Sequence, residues 1–211
     1  MLDEKGFDLW ADGYDKTVGL SDEDGSYPFA GYREILNRIY RTVMEKLHPD
    51  VLDIGFGTGT ITAKLYGQGC RIYGQDFSRQ MIALAQKKMP EAHLYHGDFS
   101  DGLVDELKER SYDFILATYS LHHLDDERKV SFLQELRSQL KAGGMILIGD
   151  VAFETRRELE ACRRQYAEIW DEDEIYFVHE ELNEKLPQLE FMPVSFCAGI
   201  LRLGKGDNNE T

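Results

Sequence analysis

Between residues 50 and 151 the chain alternates short apolar runs with helical patterns, and this rhythm limits the fold more than any other feature. Residues 50–55 form an apolar run and 59–67 a short helical pattern. "RIYGQ" (71–75) reads as a strand, and "SRQMIALAQKKM" (78–89) as a helix stopped by Pro90. "AHLYHG" (92–97) is a strand, "LVDELKER" (103–110) a helix and "DFILATYS" (113–120) a strand. "RKVSFLQELRSQLK" (128–141) is a helix and "MILIGDV" (145–151) a strand. Alternation at this spacing predicts βαβ units in a doubly wound, mostly parallel sheet with helices on both faces. Strands covered on both faces have no solvent side, so their runs are continuously apolar.

Before this block, Tyr32, Leu36, Ile39, Val43 and Leu47 recur at helical steps; the helix is read as capped near Ser26 and Pro28 and ended by Pro49. The acidic stretch "GLSDEDGSY" (19–27) reads as a mobile loop. After Val151, "ETRRELEACRRQYAEIW" carries Leu159, Cys162, Tyr166 and Ile169 on one stripe, and "HEELNEKLP" is a further short helix. "EFMPVSFCAGILRLG" holds two strand-like runs, expected as an antiparallel pair at one sheet edge. The tail 205–211 is polar and expected to fray.

Composition narrows the function. A chain of 211 residues, 42% hydrophobic, suits a single domain with a sizeable core. Its net charge of −15 repels phosphate backbones and anionic lipid, so nucleic acid and membrane surfaces are not expected partners. The three cysteines, Cys70, Cys162 and Cys197, form no disulfide framework, which fits a reducing cytoplasm. No signal peptide or bilayer-spanning run is read.

The chemistry concentrates in "VLDIGFGTGTIT" (51–62). Gly55, Gly57 and Gly59 follow a strand directly and open a helix, so the backbone can curl beneath a ligand that a Cβ would exclude. A dinucleotide fingerprint would need glycine where Thr60 stands, and no Gly-Lys-Ser/Thr phosphate loop follows. Asp76 ends the next strand, 21 positions after Gly55. A carboxylate there can accept from both hydroxyls of a ribose. Asp98 ends the third strand and can accept from an adenine amino group, with the Phe99 amide donating to a ring nitrogen and Phe77 and Phe99 flanking the base. Each acid also admits a reading as a helix-start cap.

Together, "VLDIGFGTGTIT", "IYGQDFSRQMI", "HGDFS", "YDFILATYSLHHL" and "LKAGGMILIGD" resemble the successive signature blocks of the class I S-adenosylmethionine-dependent methyltransferases. The nearest likeness is to small bacterial members without an established substrate. The resemblance covers residues 50–151 strongly and implies a Rossmann-like sheet. It further implies S-adenosyl-L-methionine as cofactor, S-adenosyl-L-homocysteine as product and a small-molecule methyl acceptor, in a monomer or homodimer. By that resemblance Gly55 to Gly59 line the methionine part and Asp53 braces the turn. Asp76 holds the ribose, and Asp98 and Phe99 the adenine. Thr118 and Tyr119 face the sulfonium, and Tyr14 reaches the cofactor from an N-terminal lid. The expected organisation is one domain over 1–204: lid 1–30, cofactor-binding core 31–151, helical insert or substrate cap 152–185 and terminal strands 186–204.

Methyl transfer from a sulfonium needs alignment and water exclusion more than a catalytic group, so no metal is required and a base is optional. Among candidate bases, His122 and His123 follow the fourth strand; as residues they admit a base role, a structural role, or metal ligation with Asp125 or Asp126. The insert's Tyr166, Trp170, Tyr176, Phe177 and His179 either line an acceptor pocket or pack onto the sheet. The "WDEDE" run (170–174) reads as a solvated turn. Rival readings are a non-catalytic cofactor-binding module acting through a protein partner, and a different transfer, such as aminopropyl, from the same cofactor.

Overall fold

The computed structural model describes residues 25–206. Among the described residues, eight strands form one sheet: β1 (Asp50–Ile54), β2 (Arg71–Asp76), β3 (His93–His96), β4 (Tyr112–Thr118), β5 (Leu140–Phe153), β6 (Phe177–Val178), β7 (Glu190–Pro193) and β8 (Ala198–Gly204). The order is β3-β2-β1-β4-β5-β8-β7, with the short β6 paired to the far end of β5. All pairings from β3 to β5 are parallel, and β8 and β7 add antiparallel at the edge. The order reverses between β1 and β4. This is the doubly wound, Rossmann-like α/β sheet expected from the sequence.

Helices cover both faces: α1 (Tyr32–Met44), α2 (Thr62–Gly67), α3 (Arg79–Lys88) and α6 (Arg156–Gln165) on one, α4 (Asp105–Lys108), α5 (Asp126–Ser138) and α7 (His179–Lys185) on the other. The alternation of a strand divides the core. Val51, Phe114 and Leu147 pack with Ile35, Ile39 and Leu65, whereas Leu52, Ile115 and Ile146 pack with Leu133, Leu136 and Leu182. At the N-terminal pole of the strands, Asp50 pairs with Arg71 and Lys141, and Asp113 with Lys46 and Lys141. The Asp50 amide also donates to Asp113 at 2.8 Å. These pairs fasten β1, β2, β4 and β5 together, far from the strand ends that carry the site.

Several boundaries move. The first long helix starts at Tyr32, not near Ser26, because residues 27–31 form a turn closed by the Tyr32 amide on the Phe29 carbonyl at 3.0 Å. It stops at Met44, which leaves Leu47, expected on its apolar face, 88% exposed. α4 is a single turn. The helix expected over 128–141 ends at Ser138, and β5 extends back to Leu140, which pairs with Tyr112 across a register shift. α5 begins two residues early because Asp125 caps it, accepting from the Arg128 amide at 2.7 Å. α6 ends at Gln165, so Tyr166 and Ile169 leave the helical stripe. Lys205, read as tail, is anchored by its ammonium on the Leu140 and Ser138 carbonyls.

Candidate functional site

A cleft of about 700 Å³, partly open to solvent, lies over the C-terminal ends of β1, β2 and β4. It sits where the strand order reverses, the place where open α/β sheets bind ligands. Its walls contain Gly55, Gly57, Asp76, Phe77, Phe99, Thr118, Tyr119 and His123. Tyr32 and Leu36 of α1 close it with Phe56 and Ile61.

The glycine turn is shaped by two different needs. Gly55 has φ +67 and a Cβ there would fall 2.5 Å from the Ser120 Cβ. Ser120 in turn donates to the Ile54 carbonyl at 2.9 Å, which locks the turn to the end of β4. Gly57 has φ +54, yet nothing lies within 4 Å of where its Cβ would stand. Its openness is toward the cleft. Gly59 packs against Met89 beneath the turn and does not form the cleft wall.

Asp76 is buried and joins two loops. One carboxylate oxygen accepts from the Gly57 amide at 2.8 Å and the other from the Ser78 amide at 2.9 Å. The helix-start cap of α3 is instead Ser78, whose hydroxyl accepts from the Met81 amide at 3.2 Å. Asp53 lies below, fully buried. One oxygen accepts from the Thr62 hydroxyl at the start of α2, and the other has no partner. Burial, reinforced by the Asp76 charge, pushes its pKa up to about 7.

Asp98 departs from its expected place. Its side chain is exposed and caps the 3₁₀ turn Phe99–Asp101, accepting from the Ser100 amide at 2.8 Å, while the neighbouring Phe99 forms the wall. β3 ends at His96, and Asp98 already opens the 3₁₀ turn that follows. At the end of β4, Tyr119 adopts φ +50, and its ring rests between Phe29 and Tyr32 at centroid distances of 5.3 and 5.2 Å. Tyr14 lies outside the described residues.

The two histidines separate. His123 faces the cleft, and burial, with His122 adding to it, lowers its pKa to about 4. His122 is buried behind it: Nδ1 lies 2.7 Å from Asp150 and Nε2 3.4 Å from Glu174. Burial opposes its charge, but the Asp150 and Glu174 carboxylates prevail and its pKa is raised. Glu174 accepts from the Tyr176 hydroxyl at 2.7 Å, and Tyr176 bonds the Tyr27 hydroxyl. The insert thus folds back over the turn at Leu121–His123, secured by the Ile175 amide on the His122 carbonyl at 2.8 Å. Asp125 and Asp126, the acids weighed as partners of these histidines, are instead a helix cap and the partner of Lys129.

Sequence reasoning missed Asp150, Glu174 and Tyr27. Asp150 carried a usable signal: like Asp76, it is an acid near the end of an apolar strand. Glu174 was concealed in "WDEDE", where the first three acids are indeed exposed and only the fourth turns inward. The insert's aromatics mostly pack. Tyr166 and Trp170 stack on Tyr27 at 5.3 and 5.1 Å, Phe177 lies under the Lys129 ammonium, and His179 binds Glu154 and the Leu189 carbonyl.

Comparison with known proteins agrees with this geometry. Residues 51–144 match the family model described as a methyltransferase domain. An uncharacterized methyltransferase of Anoxybacillus flavithermus is 34% identical over 186 residues, covering 88% of this chain and 84% of its own. One from Alkaliphilus oremlandii is 33% identical over 176 residues, covering 83% and 78%. The fold also matches a DhpI–S-adenosylhomocysteine complex with a TM-score of 0.69 at 22% identity, over 94% of this chain and 93% of that one. The chain belongs to the class I S-adenosylmethionine-dependent methyltransferases. Among the described residues, no helix is long and apolar enough to cross a membrane.

Proposed function

We propose that the chain moves the methyl group of S-adenosylmethionine to a small-molecule acceptor by in-line displacement, releasing S-adenosylhomocysteine. The observation that carries this reading is the juxtaposition at the cleft of the Gly55–Gly57 turn, the Asp76 carboxylate and the Phe77–Phe99 pair. In this reading the space beside Gly57 takes the methionine part, Asp76 accepts from the ribose, and the adenine lies against Phe77 and Phe99. Asp98, next to Phe99 in the chain, accepts from the adenine amino group. Thr118 and Tyr119 face the sulfonium.

The bond changes follow from the donor. An acceptor lone pair attacks the methyl carbon from the side opposite sulfur. The carbon–sulfur bond breaks, its electron pair goes to sulfur, and the acceptor loses its proton to solvent or to a neighbouring base. Charge on sulfur is neutralised in the step, so an apolar wall of Tyr32, Leu36, Phe56 and Tyr119 favours it by excluding water. The residues that this chain contributes therefore bind and orient. His122 is a poor choice for a base at the cleft, since both of its ring nitrogens face carboxylates. The lid and the insert over 152–185 supply the acceptor's surroundings. The charge of −15 disfavours nucleic acid as a partner, the acidic run 170–174 favours a neutral or cationic acceptor, and three free cysteines fit a cytoplasmic setting.

The test is an acceptor screen with the full chain and S-adenosylmethionine, read as S-adenosylhomocysteine released. Turnover with at least one small acceptor is expected. Methylthioadenosine as the product would point to aminopropyl transfer instead, and cofactor binding without turnover on any acceptor would favour a binding module.

A further inference from the structure

Beside the cleft, three side chains from two distant segments bring ligating atoms together: His122, His123 and Glu174 each place one within 4.8 Å of the others. We propose that they bind a divalent transition-metal ion of the zinc type, whose open coordination position faces the cleft and takes an oxygen or sulfur of the methyl acceptor.

Four observations carry this. The first is the donor set. Two imidazoles and one carboxylate make up a zinc site that keeps a position open for substrate. The second is spacing. His122 Nε2 and Glu174 Oε1 stand 3.4 Å apart, longer than usual for an N–H···O hydrogen bond. Two ligands at the usual bond lengths of a tetrahedral zinc ion lie about 3.3 Å apart. The third is support behind the ligands. His122 Nδ1 is held by Asp150 at 2.7 Å, which turns Nε2 toward Glu174, and the second Glu174 oxygen is held by Tyr176 at 2.7 Å. A carboxylate behind a ligating histidine is the usual way in which a protein fixes its tautomer and orientation. The fourth is charge. Asp150 is fully buried and its second oxygen has no partner, while the nearby Lys129 ammonium is engaged by Asp126 and the Ile175 carbonyl. Asp150 and Glu174 thus surround His122 with two negative charges that a divalent cation offsets.

Function follows from position. His123 belongs to the cleft wall as well as to the cluster, so the ion stands between the insert and the reacting end of the cleft. A metal-bound hydroxyl or thiol loses its proton more readily. The bound acceptor atom then attacks the methyl carbon as the oxyanion or thiolate, its proton having gone to solvent on coordination, and the sulfonium departs as a neutral thioether. This assigns the acceptor class as a small alcohol, phenol or thiol. The inference rests on the methyltransferase reading for the acceptor, but the ion site itself does not.

The experiment is calorimetric titration of the untagged full chain with zinc chloride, and separately with S-adenosylhomocysteine. One zinc ion per chain is expected, with binding weakened at least tenfold in Glu174→Gln and in His123→Asn. Asp150→Asn, which removes only the support, should weaken it by about 10–100-fold. His48→Asn, remote from the cluster, should leave it unchanged. Circular dichroism and a urea midpoint near that of the wild type confirm that each variant is folded. Absence of stoichiometric zinc binding by the wild type, or equal affinity in folded Glu174→Gln and His123→Asn, overturns the metal site. If zinc binds as expected and S-adenosylhomocysteine does not, it is the functional reading that fails.

Discussion

Asp76 and the glycines beside it make separable demands on the chain. Asp76→Ala removes a buried acceptor of two backbone amides and, in the proposed complex, of the ribose hydroxyls. Hydrogen bonds to a charged group contribute about 1.5–3 kcal/mol each, so S-adenosylhomocysteine affinity should fall by at least about tenfold in calorimetry. Gly55 and Gly57 give a sharper contrast. Both have positive φ, which costs a non-glycine residue about 1–2 kcal/mol. At Gly55 a methyl group also collides with Ser120, so Gly55→Ala should lower the urea midpoint markedly. At Gly57 the methyl group has room, so Gly57→Ala should fold with only the backbone cost yet lose cofactor affinity. These residues were legible because strand-end glycines and acids announce themselves by spacing. Of the two readings open for Asp98, the cap is the one seen: it accepts from the Ser100 amide at the start of the 3₁₀ turn, and its neighbour Phe99 lines the cleft. Glu174 was illegible for a different reason: burial distinguishes it from Asp171, Glu172 and Asp173, and burial is set by the fold of the insert.

At the scale of elements, capping chemistry decided several boundaries that periodicity blurred. Thr155 opens α6 with a complete capping box: its hydroxyl accepts from the Glu158 amide at 3.3 Å, and Glu158 accepts from the Thr155 amide at 3.0 Å. Thr155→Ala should cost about 0.5–2 kcal/mol and lower Tm by a few degrees in a thermal melt, without altering cofactor binding. The parallel strands β1, β2 and β4 were read to within two residues at each end, since double burial leaves an unbroken apolar run. The reading faltered where tertiary pairing overrides local pattern. Leu140 and Lys141 continue the helical pattern of 128–141, yet the helix ends at Ser138 and Leu140 opens β5 because Tyr112 offers a partner. The stripe on α1 was carried one turn too far to Leu47, for periodicity alone does not record where the backbone leaves the helix.

Across the whole molecule, two buried acids set opposite limits on pH. Asp113 is pulled down to about 2: burial works against its charge, but the Lys46 and Lys141 ammoniums outweigh it. Its folded value lies below its unfolded one, so its contribution is present above about pH 4 and is lost as pH falls toward 2. Asp113→Asn should narrow its deficit in urea midpoint relative to wild type over that range. Asp53 is shifted the other way, so its contribution is present below about pH 4 and is lost as pH rises through 7. Asp53→Asn should flatten the decline in stability between pH 4 and 7. The acid near neutrality lies beneath the cleft and the other at the opposite pole, so the two pH limits on stability arise at opposite ends of the sheet. The central claim, that the cleft at the ends of β1, β2 and β4 is where the methyl donor binds, is tested most directly by a crystal structure of the full chain with S-adenosylhomocysteine. Density should place the ribose on Asp76, the adenine against Phe77 and Phe99, and the amino-acid tail beside Gly57. A ligand bound elsewhere, or an Asp76 carboxylate that makes no contact with it, would contradict the assignment.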